Sequence, residues 1–405
     1  MARDRGYKIE PGSVTTPKGF QAAGVNCGIK ERDPDLAVIL SDRDASLAAM
    51  FTTNRVPAAP VLLSRERARS GCARALVINS GNANACTGEQ GFRHAEEMTE
   101  RTASVLNLAP ESVLVASTGI IGVPLPMDRI RRGIPIACSA LSAGGGESAA
   151  RAIMTTDTRP KHCSVHFELN GKRCCIGAIA KGSGMINPRL ATMIAIFTTD
   201  VAVDSRLLSL ILRNCVEESL NALTIDAETS TNDAVFLLAN GAAGAPTIGR
   251  RSAARQVFTR ALYDLAIEVT RSLARDAEGA TRLIQVKITG ARTRREAVTA
   301  AEAIANSMLV KTAVYGRDPN WGRVVSAVGG SGVALRPERL RVDFAGLNVA
   351  KNGCAVEYDR RSMADALAAE TVTLEVDLGT GSGQASVITC DLTHEYITIN
   401  AEYST

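Results

Sequence analysis

Lys181 to Asp200 reads KGSGMINPRLATMIAIFTTD, and the fold turns on how this stretch is read. A lysine leads into small, glycine-flanked residues, and Asn187-Pro188 then forces an extended or turning backbone. The apolar run Met193 to Phe197, bounded by Thr-Thr-Asp, reads as a buried strand. Ala191-Thr192 stands at its head, so a β-branched hydroxyl follows a small residue directly after a tight turn. A threonine so placed can attack its own preceding carbonyl. Hydrolysis of the resulting ester leaves Thr192 as a new N-terminus, whose free amine is a base beside its own nucleophile. For a bare Ala-Thr pair, a strand that merely opens with threonine is the better reading. The remainder of the chain decides between the two.

The flanking sequence supplies short strands, turns and helices in alternation. Leu36 to Leu40, Ser46 to Thr52 and Ala75 to Asn79 read as strands, and Gly91 to Leu108 has helical spacing. INSGNANACTG (Ile78 to Gly88) is small and polar after a strand, and fits a binding loop and a surface turn equally well. SVLVASTGIIG (Ser112 to Gly122) runs a strand into Ser117-Thr118-Gly119, a small-residue turn whose N–H groups can face an anion. A helix over Gly146 to Met154 precedes Thr155-Thr156-Asp157-Thr158, and Asn170-Gly171 marks a hairpin within His166 to Ile176. Ser205 to Leu223 and Arg255 to Asp276 read as long helices. Between them DAETSTNDAVFLLANG has a polar half too long for an efficient turn. From about Thr281 a second unit begins, with a helix over Arg295 to Val310 and a glycine-rich structural turn at DPNWGRVVSAVGGSG. The tail HEYITINAEYST alternates as a strand does, to its last residue.

Totals narrow the function. The 405 residues include 46 Lys+Arg against 42 Asp+Glu, a formal charge of +4 with scattered basic residues and 4% aromatics, which argues against nucleic acid as a partner. No run approaches 18 uninterrupted apolar residues, so no membrane span is expected. The 10 cysteines show no CxxC and the 4 histidines no metal spacing, so reduced thiols, no metal and a cytoplasmic location are expected.

Eight stretches in order, INSGNANACTG, STGIIG, MTTDT, KGSGMINPRLATM, DAETSTNDAV, AEGATRLI, DPNWGR and INAEYST, make the chain resemble the ornithine acetyltransferase family over essentially its full length. The family is also called bifunctional glutamate N-acetyltransferase. The resemblance implies an α/β (α+β) fold, a self-cleaving αββα sandwich like that of the DmpA-type aminopeptidases. It places the sandwich core at 1–280 and a smaller C-terminal α/β domain at 281–405, with an α chain 1–191 and a β chain from Thr192. It makes Thr192 the nucleophile, Ala191-Thr192 the cleaved bond, and Thr118 and Gly119 the oxyanion hole. Thr155, Lys181, Thr192, Glu278, Asn400 and Thr405 match its substrate-binding positions.

The implied reaction moves an acetyl group from N2-acetylornithine to glutamate through acetyl-Thr192, with ping-pong kinetics. No cofactor is implied, acetyl-CoA is left open as a second donor, and the halves are expected to assemble as a heterotetramer of two α and two β chains. Lys181 suits a substrate carboxylate; Glu278 or the Thr405 carboxylate suits an ammonium. The alternative is a self-processed aminopeptidase or amidase of the same architecture, with water as acceptor. A binding protein that merely keeps the fold is the reading from outside enzymology; the Thr192 and STG pairing argues against it.

Overall fold

The computed structural model describes residues 7–187 and 193–402. Ala191, Thr192 and Thr405 lie outside the described residues. The described chain divides into two compact units, one built from residues up to Asn221 with Thr229–Val269, the other from Ala222–Glu228 with the chain from Thr270 onward.

In the first unit the elements are β1 (Ile9–Glu10), β2 (Phe20–Val25), β3 (Leu36–Phe51), α1 (Ala59–Arg67), β4 (Cys72–Asn82), α2 (Gly88–Leu106), β5 (Val113–Ile120), α3 (Met127–Ser139), α4 (Gly146–Ala152), β6 (Lys161–Leu169), β7 (Lys172–Lys181), β8 (Ile194–Thr199), α5 (Ser205–Glu217), β9 (Ala234–Ala239) and the start of α6 (Ala254–Arg275). The strands run in the order β1-β6-β7-β8-β9-β3-β4-β5, with β2 beside β3. Leu36 to Phe51 corrects the sequence reading, which expected two strands separated by the charged Asp42-Arg43-Asp44. It is one sixteen-residue strand whose first half pairs with β2 and β4 and whose second half pairs with β9, with a register shift between Leu40 and Ala45. The three charged residues are exposed where the strand turns from one half-sheet into the other.

That turn brings the two half-sheets face to face. Phe20, Ile39, Leu76, Ile78 and Leu114 from β2–β5 share one core with Ile179, Ile194, Ile196, Phe236 and Leu238 from β7–β9. The opposite face of β3–β5, with Val38, Val77 and Val115, is covered by Leu63 of α1, Met98 of α2 and Ile130 and Ile134 of α3. On the other outer side Phe258 of α6 packs edge-on against Phe167 of β6, and the Cys215 thiol of α5 donates to Thr259 O. The layers are therefore α, β, β, α. Strand β8 is buried on both faces, which is why its sequence is continuously apolar rather than alternating. Each of its large side chains contributes about 1.5–3 kcal/mol of burial.

The second unit carries β10 (Leu283–Ala291), α7 (Arg294–Ala305), α8 (Met308–Tyr315), α9 (Trp321–Gly330), β11 (Arg341–Phe344), β12 (Leu347–Lys351), β13 (Cys354–Ala355), α10 (Arg360–Leu367), β14 (Thr371–Asp377), β15 (Gly383–Cys390) and α11 (His394–Glu402). Its strands run in the order β13-β12-β11-β14-β10-β15, and Ile284, Val286 and Ile288 of β10 meet Ala301 of α7, Val328 of α9 and Leu367 of α10 in its core. Three expectations fail here. The helix read over Arg295 to Val310 breaks at Asn306-Ser307, because Ser307 accepts Val310 N–H and caps a new helix, α8. The glycine-rich turn read at DPNWGR is the start of helix α9, capped by the Asn320 side chain. The tail is not a strand: α11 replaces it, with Thr393 Oγ1 bonded to Gly279 O and Asn400 Nδ2 reaching back one turn to Tyr396 O. Local alternation yields there to docking of the segment on Gly279.

Candidate active site

The end of β4 and the end of β5 run side by side as a parallel pair. At Gly81 and Asn82 the register slips, and Asn82 faces both Thr118 and Ile120. Such a bulge takes the backbone out of the ladder and re-aims it. Gly119 adopts φ +131°, and a Cβ there would lie 2.3 Å from Gly81 C and 2.5 Å from Asn82 N. Both obstacles are backbone, so only glycine fits. Gly119→Ala should lower the melting temperature and reduce turnover by about 10²-fold or more, since the turn must open to admit the methyl group. Thermal unfolding and steady-state kinetics check this, and wild-type behaviour in both would show that the strand pair tolerates a side chain.

INSGNANACTG is neither a surface turn nor an exposed binding loop; it is the buried frame of this bulge. The Ser117 hydroxyl donates to Asn79 Oδ1 at 2.6 Å, and Asn79 Nδ2 donates to Asn82 O at 2.8 Å. The Ser80 hydroxyl donates to Ala152 O at 2.6 Å. From the DAETSTNDAV stretch, Asn232 Nδ2 donates to Ala83 O at 2.6 Å and Ser117 O at 2.8 Å. Buried polar side chains at these positions are thus satisfied by one another and by main chain, which fixes the turn.

Lys181, at the end of β7, brings together residues that the sequence named separately. Its ammonium, 2% exposed as a residue, donates to Thr155 Oγ1 at 2.8 Å and Thr118 Oγ1 at 3.2 Å. Asp157, whose role the sequence reading missed, holds the floor of this cluster. Its Oδ1 accepts from Lys161 Nζ at 2.5 Å and Gly182 N–H at 2.8 Å, and its Oδ2 from Thr155 N–H at 3.0 Å. Burial alone would push the Asp157 carboxyl up. The Lys161 and Lys181 charges and the Gly182 amide outweigh it and bring the pKa to about 2. A second lysine, Lys30, donates to Met154 O at 2.6 Å, and burial lowers its pKa.

The register ties this cluster to position 192. Ile194, the first residue of β8, lies opposite Lys181 on one side and opposite Ala234 on the other. The Met193 N–H donates to Asp233 Oδ1 at 2.7 Å. Hence residue 192, one covalent step before Met193, enters between the Lys181 end of β7 and the Asp233 end of β9.

In the second unit Asn400 Nδ2 donates to Glu278 Oε2 at 2.8 Å, so two further residues named from the sequence meet. Beside them burial, with the Asp226 and Glu278 charges, raises Tyr396 to about 12. Among the described residues no three His, Cys, Asp or Glu side chains group as metal ligands, and no helix is long and apolar enough to cross a membrane. All ten cysteines are unpaired, and burial raises several of them, Cys163 to about 12.

The family model described as "ArgJ family" matches residues 21–405. The chain belongs to the ArgJ family. It is 47% identical to an arginine biosynthesis bifunctional protein ArgJ from Symbiobacterium thermophilum over 97% of this chain and 99% of that one. The protein of the same name from Caldanaerobacter subterraneus subsp. tengcongensis is 43% identical over 98% of this chain and 100% of that one. A crystal structure of arginine biosynthesis bifunctional protein ArgJ from Bacillus halodurans is similar at TM-score 0.50 and 36% identity, covering 51% of this chain and 98% of that chain. In ArgJ terms, the Thr118, Gly119, Thr155 and Lys181 group lies in the αββα unit, while Glu278 and Asn400 lie in the second.

Proposed function

We propose that the protein transfers the acetyl group of N2-acetylornithine to glutamate through an acetyl ester on Thr192, after cutting its own chain between Ala191 and Thr192. The observation that carries the reading is the Lys181 cluster: a buried ammonium bonded to Thr118 and Thr155, beside a bulged Thr118-Gly119 turn, all converging on the head of β8. Its relatives are arginine-biosynthesis proteins. The Bacillus halodurans chain, almost wholly covered, spans about half of this one, the length a cut product would have.

In the reaction the Thr192 hydroxyl attacks the acetyl carbonyl, with the new amine of Thr192 taking its proton. The Thr118 hydroxyl and the Gly119 N–H hold the oxyanion, and ornithine leaves before glutamate enters. The same reading gives Lys181, Thr155, Glu278, Asn400 and the Thr405 carboxylate to substrate recognition, and a heterotetramer of two α and two β chains to the assembled enzyme.

The assay is acetylglutamate formation from N2-acetylornithine with and without glutamate. Transfer far exceeding hydrolysis supports the proposal; release of acetate at the same rate without glutamate would make the protein an amidase. Replacing acetylornithine by acetyl-CoA reads the second donor. Thr118→Ala should lower kcat about 10²-fold or more with little change in KM, because an oxyanion donor acts chiefly in the transition state. A change confined to KM would make Thr118 a ground-state binding residue.

A further inference from the structure

Asp233 is the one carboxylate beside the head of β8 that the reaction above leaves unused. It immediately precedes β9 as Met193 precedes β8, and the parallel pairing of Ile194 with Ala234 sets the two residues side by side. One carboxyl oxygen, Oδ1, accepts the Met193 N–H at 2.7 Å. The other, Oδ2, is buried and has no hydrogen-bond partner among the described residues. The Ser230 hydroxyl stands near the carboxyl without meeting hydrogen-bond geometry to Oδ2. The residue is 1% exposed, so water does not make up the deficit. A buried acceptor left open costs about 1–3 kcal/mol, and natural chains rarely keep one without a use.

The open oxygen has an identifiable target. The nitrogen of residue 192 is three covalent bonds from the nitrogen of Met193, roughly 3–4 Å away whatever the local dihedral angles. A carboxyl anchored on the second nitrogen by one oxygen can reach the first with the other. We propose that Asp233 delivers the proton needed by the departing nitrogen of Thr192 during self-cleavage and then holds the resulting α-amino group in the cut enzyme. This rests on the self-cleavage set out under Proposed function.

Burial raises the Asp233 carboxyl well above the usual carboxylate range, more than the Met193 N–H and the Lys181 charge lower it, so the uncut chain holds it protonated. In the cut, Thr192 Oγ bonds to the Ala191 carbonyl carbon and gives its proton to water. The bond from that carbon to the Thr192 nitrogen breaks, and the nitrogen, keeping its own hydrogen, takes a second from Asp233. The proton in water completes the ammonium, which faces the new carboxylate. A second water then hydrolyses the ester, its hydroxyl going to the Ala191 carbonyl carbon and its hydrogen to Thr192 Oγ.

The test compares full-length wild type, Asp233→Asn and Thr192→Ala by the fraction of cut chain against time on denaturing gels. Asp233→Asn keeps an acceptor for Met193 and removes the acid, so it should fold, with a far-ultraviolet spectrum like wild type, and cleave roughly 10²-fold more slowly. Cleavage of this variant at the wild-type rate would overturn the assignment while leaving the Thr192 reading intact. A wild type that never cuts would overturn both. Should the variant fail to fold, a crystal structure of the cut wild type decides. Asp233 Oδ2 within hydrogen-bond distance of the Thr192 nitrogen is the expected result; that oxygen turned away or capped by another group contradicts it.

Discussion

Thr192→Ala should yield a chain that stays whole and transfers no acetyl groups, a loss of about 10⁵-fold or more. The substitution removes the nucleophile of both reactions while changing little else: a methyl group in place of a methyl and a hydroxyl, ahead of a strand whose pairing with β7 and β9 begins at Ile194. Folding should therefore survive. Denaturing gels, the acetylornithine and glutamate assay and thermal unfolding read the three quantities separately. A variant that stays whole but retains substantial transfer would mean that the acetyl group passes directly between substrates. Cleavage retained in the variant would move the cut site elsewhere.

Asp157→Asn should be the most costly of the charge substitutions at this site, destabilising the protein by about 3–5 kcal/mol. The carboxylate is wholly buried and accepts from Lys161 Nζ, Gly182 N–H and Thr155 N–H, with the Lys181 charge close by. An amide presents a hydrogen-bond donor to one of these donors and leaves the buried ammonium of Lys161 without a counter-charge. The sign of the pH dependence follows from the carboxyl being held down, from 3.8 to about 2, in the folded protein. Its linked stabilisation, roughly 2 kcal/mol, is fully present above pH 3.8 and is lost as the pH falls through about 2. Urea unfolding of the wild type and the variant should therefore differ most at neutral pH and converge towards pH 2. A constant difference across that range would show that Asp157 acts through packing rather than charge. The variant should also cleave slowly, because Thr155 and Gly182 are positioned by the lost acceptor.

The elements that the sequence made legible are those whose periodicity and burial agree. Strand β8 was readable because both its faces are buried; the hairpin between β6 and β7 was readable from Asn170-Gly171, which turns with φ +50° and +74°. Helices α2 and α6 lie within a few residues of their expected bounds. Strand β3 was split in the reading because exposed charge in mid-strand resembles a turn, and nothing local announces that a strand changes sheets. The helix α11 was hidden by β-branched alternation, and α9 by its glycines.

At the site, Thr118, Thr155 and Lys181 were named from separate motifs and share hydrogen bonds; Glu278 and Asn400 meet likewise. Asp157 and Asp233 were overlooked, although both lie inside quoted motifs. An aspartate among threonines reads as a solvated turn. Only the long-range pairing of β7, β8 and β9 shows that each is buried against a main-chain amide beside the nucleophile strand.

Mass spectrometry of the purified protein incubated with N2-acetylornithine and no glutamate tests the central claim most directly. The account predicts two polypeptides, Met1–Ala191 and Thr192–Thr405, with a single acetyl group on Thr192 that disappears when glutamate is added. One intact, unacetylated chain that nonetheless forms acetylglutamate would contradict it.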